Sequence, residues 1–454
     1  MINIKFKLGE MARLRERLLA DLSNEAFALI LAKTERINNL EIIKVIDIIY
    51  PTPADYKSRN IAFLNVKDSF FIDALKELQS RYDVDTIIDV HTHPFAKDSV
   101  SFSHVDDSDE ITFKKFLDEN FDNINYASIV FSQHEYSARK WNTLKSKKVI
   151  YETAFIKTQL IEENIKSSDE EPSNSDSNLD TEMFNRGILA LGIDNLRKIT
   201  SNQKITIVGA GGTGSIIAES LIHMGFNYIN LIDNDILEIS NMNRIVGAYY
   251  QDAIDGKYKV DVISSHLLKI NPHATVNTYN NDIYDEAMEF VLAQSDWIIM
   301  ATDNHSSRFH TQKIAFKYFV PFLSVGVNIT VKNNQIIDES GEVIVIRMGD
   351  RVCLKCLERI NDIKVAFERE SEGAMISKQL LKKGYVQGQD VKEPAVKTLN
   401  SILGQMTVDI LVNQYTNRLR HQTISVYERN IAPVMYEDKD SLKNRNLSCI
   451  VCGF

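Results

Sequence analysis

The chain has 454 residues but only four cysteines. That rules out a disulfide framework and suits a reducing cytoplasm. No apolar run reaches the roughly 18–20 residues of a membrane span. The opening MINIKFKLGEMARLRERL has no signal-peptide core. A cytoplasmic protein away from the membrane is expected. Basic residues are not in excess: the net charge is −10 and the pI about 5.6. This argues against a nucleic-acid partner. There is no internal repeat. Apolar residues make up 44% of the chain, enough for two or three packed domains.

The most informative stretch runs from Ile205 to Arg244. Ile205–Val208 reads as a short buried strand. It ends in Gly209-Ala210-Gly211-Gly212-Thr213-Gly214. Glycines there permit a tight turn and bring backbone N–H groups close to phosphate at a helix N-terminus. A second strand, Tyr228–Ile232, ends in Asp233-Asn234-Asp235. A carboxylate about twenty residues past such glycines is placed to hold ribose hydroxyls. Ser240-Asn241-Met242-Asn243-Arg244 follows, and Gly256-Lys257-Tyr258-Lys259 opens the next helix. A third strand, Trp297–Met300, ends in Ala301-Thr302-Asp303-Asn304, with Arg308 one helical turn on. Hydride transfer does not need these cations. Attack on an ATP α-phosphate does, because charge builds on the phosphate oxygens.

Residues 1–160 read as a mixed α/β unit. Helices are expected at Gly9–Leu22 and Phe70–Tyr82, and strands at Ala26–Ala32, Ile42–Ile49 and Thr86–Val90. The last strand delivers His91-Thr92-His93-Pro94, and Ser103-His104-Val105-Asp106 lies downstream. Histidines at i and i+2 of a strand end point the same way, so both imidazoles can bind one metal. Asp106 offers a third ligand. Three protein ligands and an open water position form the layout of a catalytic zinc. Glu25 is the candidate base for the water. A surface loop with unrelated acids, or a metal-free domain, is the plainer alternative.

Residues 167–182, SSDEEPSNSDSNLDTE, are almost free of apolar side chains and read as a disordered acidic linker. The boundaries are therefore 1–160, a linker at 161–182, and 183–454. The cysteines form two CxxC pairs, Cys353/Cys356 and Cys449/Cys452. Two such pairs make a closed, structural zinc site with four thiolate ligands. The stretch Phe367–Thr398 contains no cysteine.

From about residue 183 onward, GAGGTG, LIDNDILEISNMNR, GKYK, ATDN and the paired CxxC resemble the ThiF/MoeB/ubiquitin-activating superfamily. Its members adenylate the C-terminal glycine of a ubiquitin-fold protein. The resemblance implies a Rossmann-like, mostly parallel sheet with helices on both faces. It implies that Gly209, Gly211, Gly212 and Gly214 face ATP phosphates and that Asp233 and Asp235 face the ribose. Asn241, Arg244 and Lys259 would hold the phosphates and Asp303 the Mg2+. Arg186, in the helix Phe184–Gly192, takes the place of an arginine that reaches across a homodimer. Many members also carry a cysteine in the segment after the first CxxC, which takes the activated protein as a thioester. Its absence here implies that the chain stops at the acyl-adenylate or passes it to another protein.

The N-terminal motif resembles the JAB/MPN/JAMM metalloproteases. Glu25, His91, His93, Ser103 and Asp106 take the motif's places, and Ser103 would help bind the tetrahedral oxyanion. Twelve residues separate His93 from Asp106, longer than the family's usual spacing; the polar insert Phe95–Ser101 is expected to bulge outward. The combined expectation is a bacterial-type peptidase–activating fusion using ATP, Mg2+ and two Zn2+. Its partners would be a ubiquitin-like protein, a conjugating enzyme and a second copy of itself. Activation of a sulfur carrier for cofactor biosynthesis, or a degenerate docking dimer, are the rival readings.

Overall fold

The computed structural model describes residues 1–141, 156–157, 159–162, 182–201, 203–333, 335–350, 352–370, 396–442 and 448–452. Of the expected acidic linker, only 161, 162 and 182 fall among them; the cysteine-free stretch lies outside from 371 to 395. The chain divides into two compact units, Met1–Glu163 and Asn164–Phe454.

The first unit contains β1 (Ile2–Phe6), α1 (Glu10–Leu18), β2 (Phe27–Ile37), β3 (Leu40–Ile49), β4 (Tyr56–Asn60), β5 (Phe63–Val66), α2 (Asp68–Ser80), β6 (Thr86–Thr92), α3 (His104–Asn120), β7 (Asn125–Phe131), β8 (Tyr136–Trp141), β9 (Ile156–Lys157) and β10 (Gln159–Glu162). The main sheet has the order β10-β1-β3-β2-β6-β7-β8-β9, and β4–β5 form a separate hairpin. Side chains of a strand alternate between faces. On β2, Ala28 and Ile30 join one core with Leu14 and Leu18 of α1, while Phe27, Leu29 and Leu31 join another with Phe70, Ala74 and Leu78 of α2. With both faces covered, the first half of β2, Phe27–Ala32, is apolar throughout. The first helix is shorter than expected, ending at Leu18, because only Leu14 and Leu18 of its residues are buried against the sheet.

The second unit contains α4 (Asn185–Leu191), α5 (Ile193–Thr200), β11 (Lys204–Val208), α6 (Gly212–His223), β12 (Tyr228–Ile232), α7 (Tyr250–Ile254), α8 (Lys259–Ile270), β13 (Thr275–Tyr279), α9 (Glu286–Ala293), β14 (Trp297–Met300), α10 (His305–Lys317), β15 (Phe322–Lys332), β16 (Gln335–Ile346), α11 (Asp362–Glu370), α12 (Lys397–Thr416), β17 (Ile424–Glu428) and β18 (Val434–Glu437). Its sheet runs β13-β12-β11-β14-β15-β16-β17-β18. The five strands from β13 to β15 pair in parallel, and β15 to β18 pair antiparallel. The sheet is thus Rossmann-like at one end and mixed as a whole. Helix α6 packs against α8 and α12, and α10 against α9 and α11. Strand order reverses between β11 and β14. Open α/β sheets bind ligands in the crevice outside such a switch point, at the carboxyl ends of the strands.

Candidate functional site

The first unit gathers His91, His93 and Asp106, whose ligand atoms lie within 4.8 Å of one another. Strand β6 carries His91 on its α3-facing side, where Ile87 also points; His93 follows the strand end, tied by its N–H to Phe131 O at 2.8 Å. Asp106 arrives on the first turn of α3. Its Oδ1 is 3.4 Å from His91 Nε2 and its Oδ2 3.6 Å from His93 Nε2.

The helix start is a capping box. Ser103 Oγ accepts from Asp106 N at 3.2 Å, and Asp106 Oδ2 accepts from Ser103 N at 2.6 Å. One turn of helix therefore aims Asp106. Ser103 caps the helix.

The electrostatics match a cation site. Burial works against Asp106 ionising, but the nearby His91 and the N–H of Ser103 hold its carboxyl well below the usual range. Burial opposes charge on His91, yet Asp106 outweighs it and the pKa rises. Burial and the neighbouring His91 bring His93 down to about 4. His91 Nε2 is buried and makes no hydrogen bond. An orphaned imidazole nitrogen beside a second imidazole and a carboxylate fits a divalent transition metal. Glu25 is also buried. It sits two residues before β2, with its N–H on Asn60 O at 2.8 Å. Burial pushes its carboxyl up to about 7, against the pull of His91.

In the second unit, Gly209, Gly211, Gly212, Asp233, Asp235, Asn241, Arg244, Lys259 and Asp303 line one cleft of about 1470 Å³ at the strand ends. Gly209 has φ +97, and a Cβ there would lie 2.9 Å from the backbone of Ala301, where the β11 and β14 ends touch. Asp233 Oδ2 accepts from Ala210 N at 2.7 Å and Oδ1 from Asp235 N at 2.9 Å, clamping the two strand-end turns together. Burial raises its pKa, with Lys259 pulling the other way. Lys259, the buried first residue of α8, is paired with Asp235 at 2.5 Å. Lys257 instead bonds Asp252 at 2.8 Å. Arg244 Nη1 donates to Ser240 O and Asn243 Oδ1. Asp303 is exposed at the cleft, just before Asn304, whose side chain caps α10.

Gly214, Arg308 and Asn241 are placed differently from expectation. Gly214 does not line the cleft: a Cβ there would meet Gly209 O at 1.9 Å, so its bareness serves the packing of α6 on the turn. Arg308 lines the cleft but donates to Thr302 O at 2.7 Å and Val325 O at 2.9 Å, pinning β14 to β15. Arg186 is exposed on α4 and is not among the residues lining its own chain's cleft. Asn241 lines the cleft, but its Oδ1 accepts from Glu238 N, capping a short turn.

No motif pointed to Asn400 on α12. It lines the cleft, and a Cβ on Gly212 would lie 2.5 Å from its Nδ2. Glu342, Glu428, Tyr436 and Asp438 form another part of the lining. They come from the antiparallel strands and the residue after β18, a part of the sheet that no glycine or acid motif marks.

The four cysteines converge, with Sγ–Sγ distances of 3.7 Å for Cys353–Cys449 and 3.5 Å for Cys356–Cys452. All four sulfurs lie within 4.8 Å, none in a disulfide. Phe309 and Phe316 pack around them. This donor set and its closure fit a tetrahedral zinc.

The ThiF family model matches residues 184–421, just over half of the chain. The chain is 30% identical over 179 residues to SUMO-activating enzyme subunit 2 of Dictyostelium discoideum, covering 39% of this chain and 25% of that protein. It is 29% identical over 179 residues to molybdopterin-synthase adenylyltransferase of Salmonella typhimurium, covering 39% and 68%. The match thus spans a quarter of the first relative and about two thirds of the second. Among solved structures, Escherichia coli MccB with ATP aligns at 18% identity and a TM-score of 0.46, over 60% of this chain and 75% of that one. No helix among the described residues is long and apolar enough to cross a membrane.

Proposed function

The chain belongs to the ThiF family, and from that premise we propose that its second unit adenylates the C-terminal glycine of a ubiquitin-like protein. The supporting observation is the convergence of the α6 N-terminus, Arg244, Lys259 and Asp303 on one cleft. A carboxylate oxygen of the glycine attacks the ATP α-phosphorus, an acyl–phosphate bond forms, and the bond to pyrophosphate breaks. The N–H groups of Gly211 and Gly212 bind phosphate at the helix start. Arg244 and Lys259 stabilise charge on the phosphate oxygens, and Asp235 and Asp233 orient the ribose side of the cleft. Asp303 would hold Mg2+, which when bound neutralises charge between phosphates. Arg186 serves the cleft of a second copy in a homodimer. The four cysteines hold a structural zinc, so the acyl-adenylate passes to a thiol or amine elsewhere.

The first unit, in the same proposal, is a JAMM-type zinc (iso)peptidase joined through an acidic linker at 161–182. His91, His93 and Asp106 would hold the zinc, which when bound polarises the attacking water. Glu25 takes the water's proton and delivers it to the leaving amine. Ser103 Oγ–H donates to the oxyanion. The peptidase would trim or remove the protein that the second unit activates. Likeness to the molybdopterin-synthase adenylyltransferase favours a second version of the partner, a sulfur carrier.

Pyrophosphate exchange into ATP tests the adenylation. Exchange should require a ubiquitin-fold protein ending in glycine, or a sulfur carrier in the second version. Asp303→Ala should abolish it, and Arg244→Ala should slow it by roughly 10²–10³-fold. Exchange that is undiminished in Asp303→Ala would remove that residue from the reaction.

A further inference from the structure

The segment from His93 to Asp106 is long, yet its end meets both imidazoles. Its two halves are held by different means. In the first, Pro94 O accepts from Gln133 Nε2 at 2.8 Å, Ala96 O from Gln133 N at 3.1 Å and Lys97 O from His134 N at 3.0 Å. These bonds lace the start of the segment to the β7–β8 turn, so it does not bulge freely there. The second half returns through exposed residues to Phe102, which immediately precedes the cap Ser103.

There Arg139 takes over. It is buried on β8, and its guanidinium carbon lies 3.7 Å from the Phe102 ring centre. Its Nη1 donates to Asp107 Oδ1 at 2.7 Å and its Nε to Glu110 Oε2 at 2.8 Å. Ser128 Oγ and Trp141 Nε1 also donate to Glu110 Oε2, both at 2.6 Å. Phe102 flanks Ser103, and Asp107 flanks Asp106. One side chain therefore grips the loop before the helix and the helix just after the ligand.

We propose that Arg139 is a positioning residue for the metal centre, holding the start of α3 so that Asp106 faces His91 and His93 despite the lengthened connection. The inference rests on the reading of those three residues as metal ligands. A buried guanidinium stacked on a ring and forked between two carboxylates is a stiff anchor. Lysine lacks the fork and the planar stacking face.

The test measures zinc affinity on the full-length protein by chelator competition, with His91→Ala defining which zinc belongs to this centre. Arg139→Lys and Phe102→Leu should each weaken that zinc by about 10–100-fold, the usual effect of losing a group that orients a ligand. Phe102→Tyr, which keeps a ring under the guanidinium, should restore it. Metal-stripped Phe102→Leu should keep its circular dichroism and melt close to the wild type. Unchanged affinity in both weakening variants overturns the inference. So does a loss of melting temperature in metal-stripped Phe102→Leu that accounts for the loss of affinity, since the clamp would then be a fold element alone. A wild type without any zinc that His91→Ala removes overturns the metal reading itself, and the inference with it.

Discussion

In the first unit the candidate centre is made of side chains. Three ligand atoms from one strand end and one helix start sit within 4.8 Å, in a setting that shifts the protonation of every member. In the second unit the cleft is drawn from many strand and helix ends. Bare glycines, N–H groups and strand-end turns shape it, and its charged side chains come from separate elements. The difference follows from the ligands. A small cation needs a few donors at fixed distances, whereas a nucleotide triphosphate needs a long surface with dispersed positive potential. Mutations should therefore act locally and on metal binding in the first unit, and on packing or turnover in the second.

The largest effect is expected at the cysteine cluster. Cys353→Ser should unfold or aggregate the second unit, because structural zinc contributes on the order of 10–16 kcal/mol in small zinc domains. Limited proteolysis should show the second unit degraded and the first intact. A stable, zinc-loaded variant would mean that three sulfurs suffice.

The glycine turn separates packing from binding. Gly214→Ala places a Cβ 1.9 Å from Gly209 O, whereas a Cβ at Gly211 meets nothing within 4 Å. Denaturant titration should show Gly214→Ala destabilised by about 2 kcal/mol or more. Gly211→Ala should fall within about 0.5 kcal/mol of the wild type. Equal stability of the two would show that Gly214 is not a packing position.

A pH-dependent effect is expected at Glu25 in metal-stripped protein. Its folded pKa, about 7, lies above the ordinary 4.5. A raised carboxyl pKa means that stability is full below 4.5 and is lost as the pH climbs through 7. Glu25→Gln does not titrate, so at pH 8 it should be more stable than the wild type by about 1–3 kcal/mol, with the gap closing near pH 4. A gap of the opposite sign would mean that the Glu25 charge is stabilised in the fold.

Much of this was legible in the sequence. Tyr228–Ile232 and Trp297–Met300 form strands at the positions expected, because a short apolar run ending in Asp or Ala-Thr-Asp has little else to be inside a parallel sheet. The pairs His91/His93 and Cys353/Cys356 were legible because their spacing alone places donors together. Gly214 looked like a phosphate residue, since a motif cannot tell a glycine kept bare for a ligand from one kept bare for a neighbouring carbonyl. Asn400 was invisible because α12 reaches Gly212 only through the folded packing of α12 on α6. The capping box hid inside the Ser103–Asp106 spacing, which serves the helix start and the ligand set together. Arg139 carries no motif, and its role depends on Phe102 lying beneath it in three dimensions.

The central claim is that one chain carries two separate chemistries, an ATP-using cleft and a metal centre. The most direct measurement pairs zinc content with pyrophosphate exchange in wild type and His91→Ala. The account predicts about two zinc ions per wild-type chain, about one in the variant, and equal rates of exchange with the ubiquitin-like partner. Wild type holding one zinc or none, or a variant that loses exchange together with its metal, would contradict it.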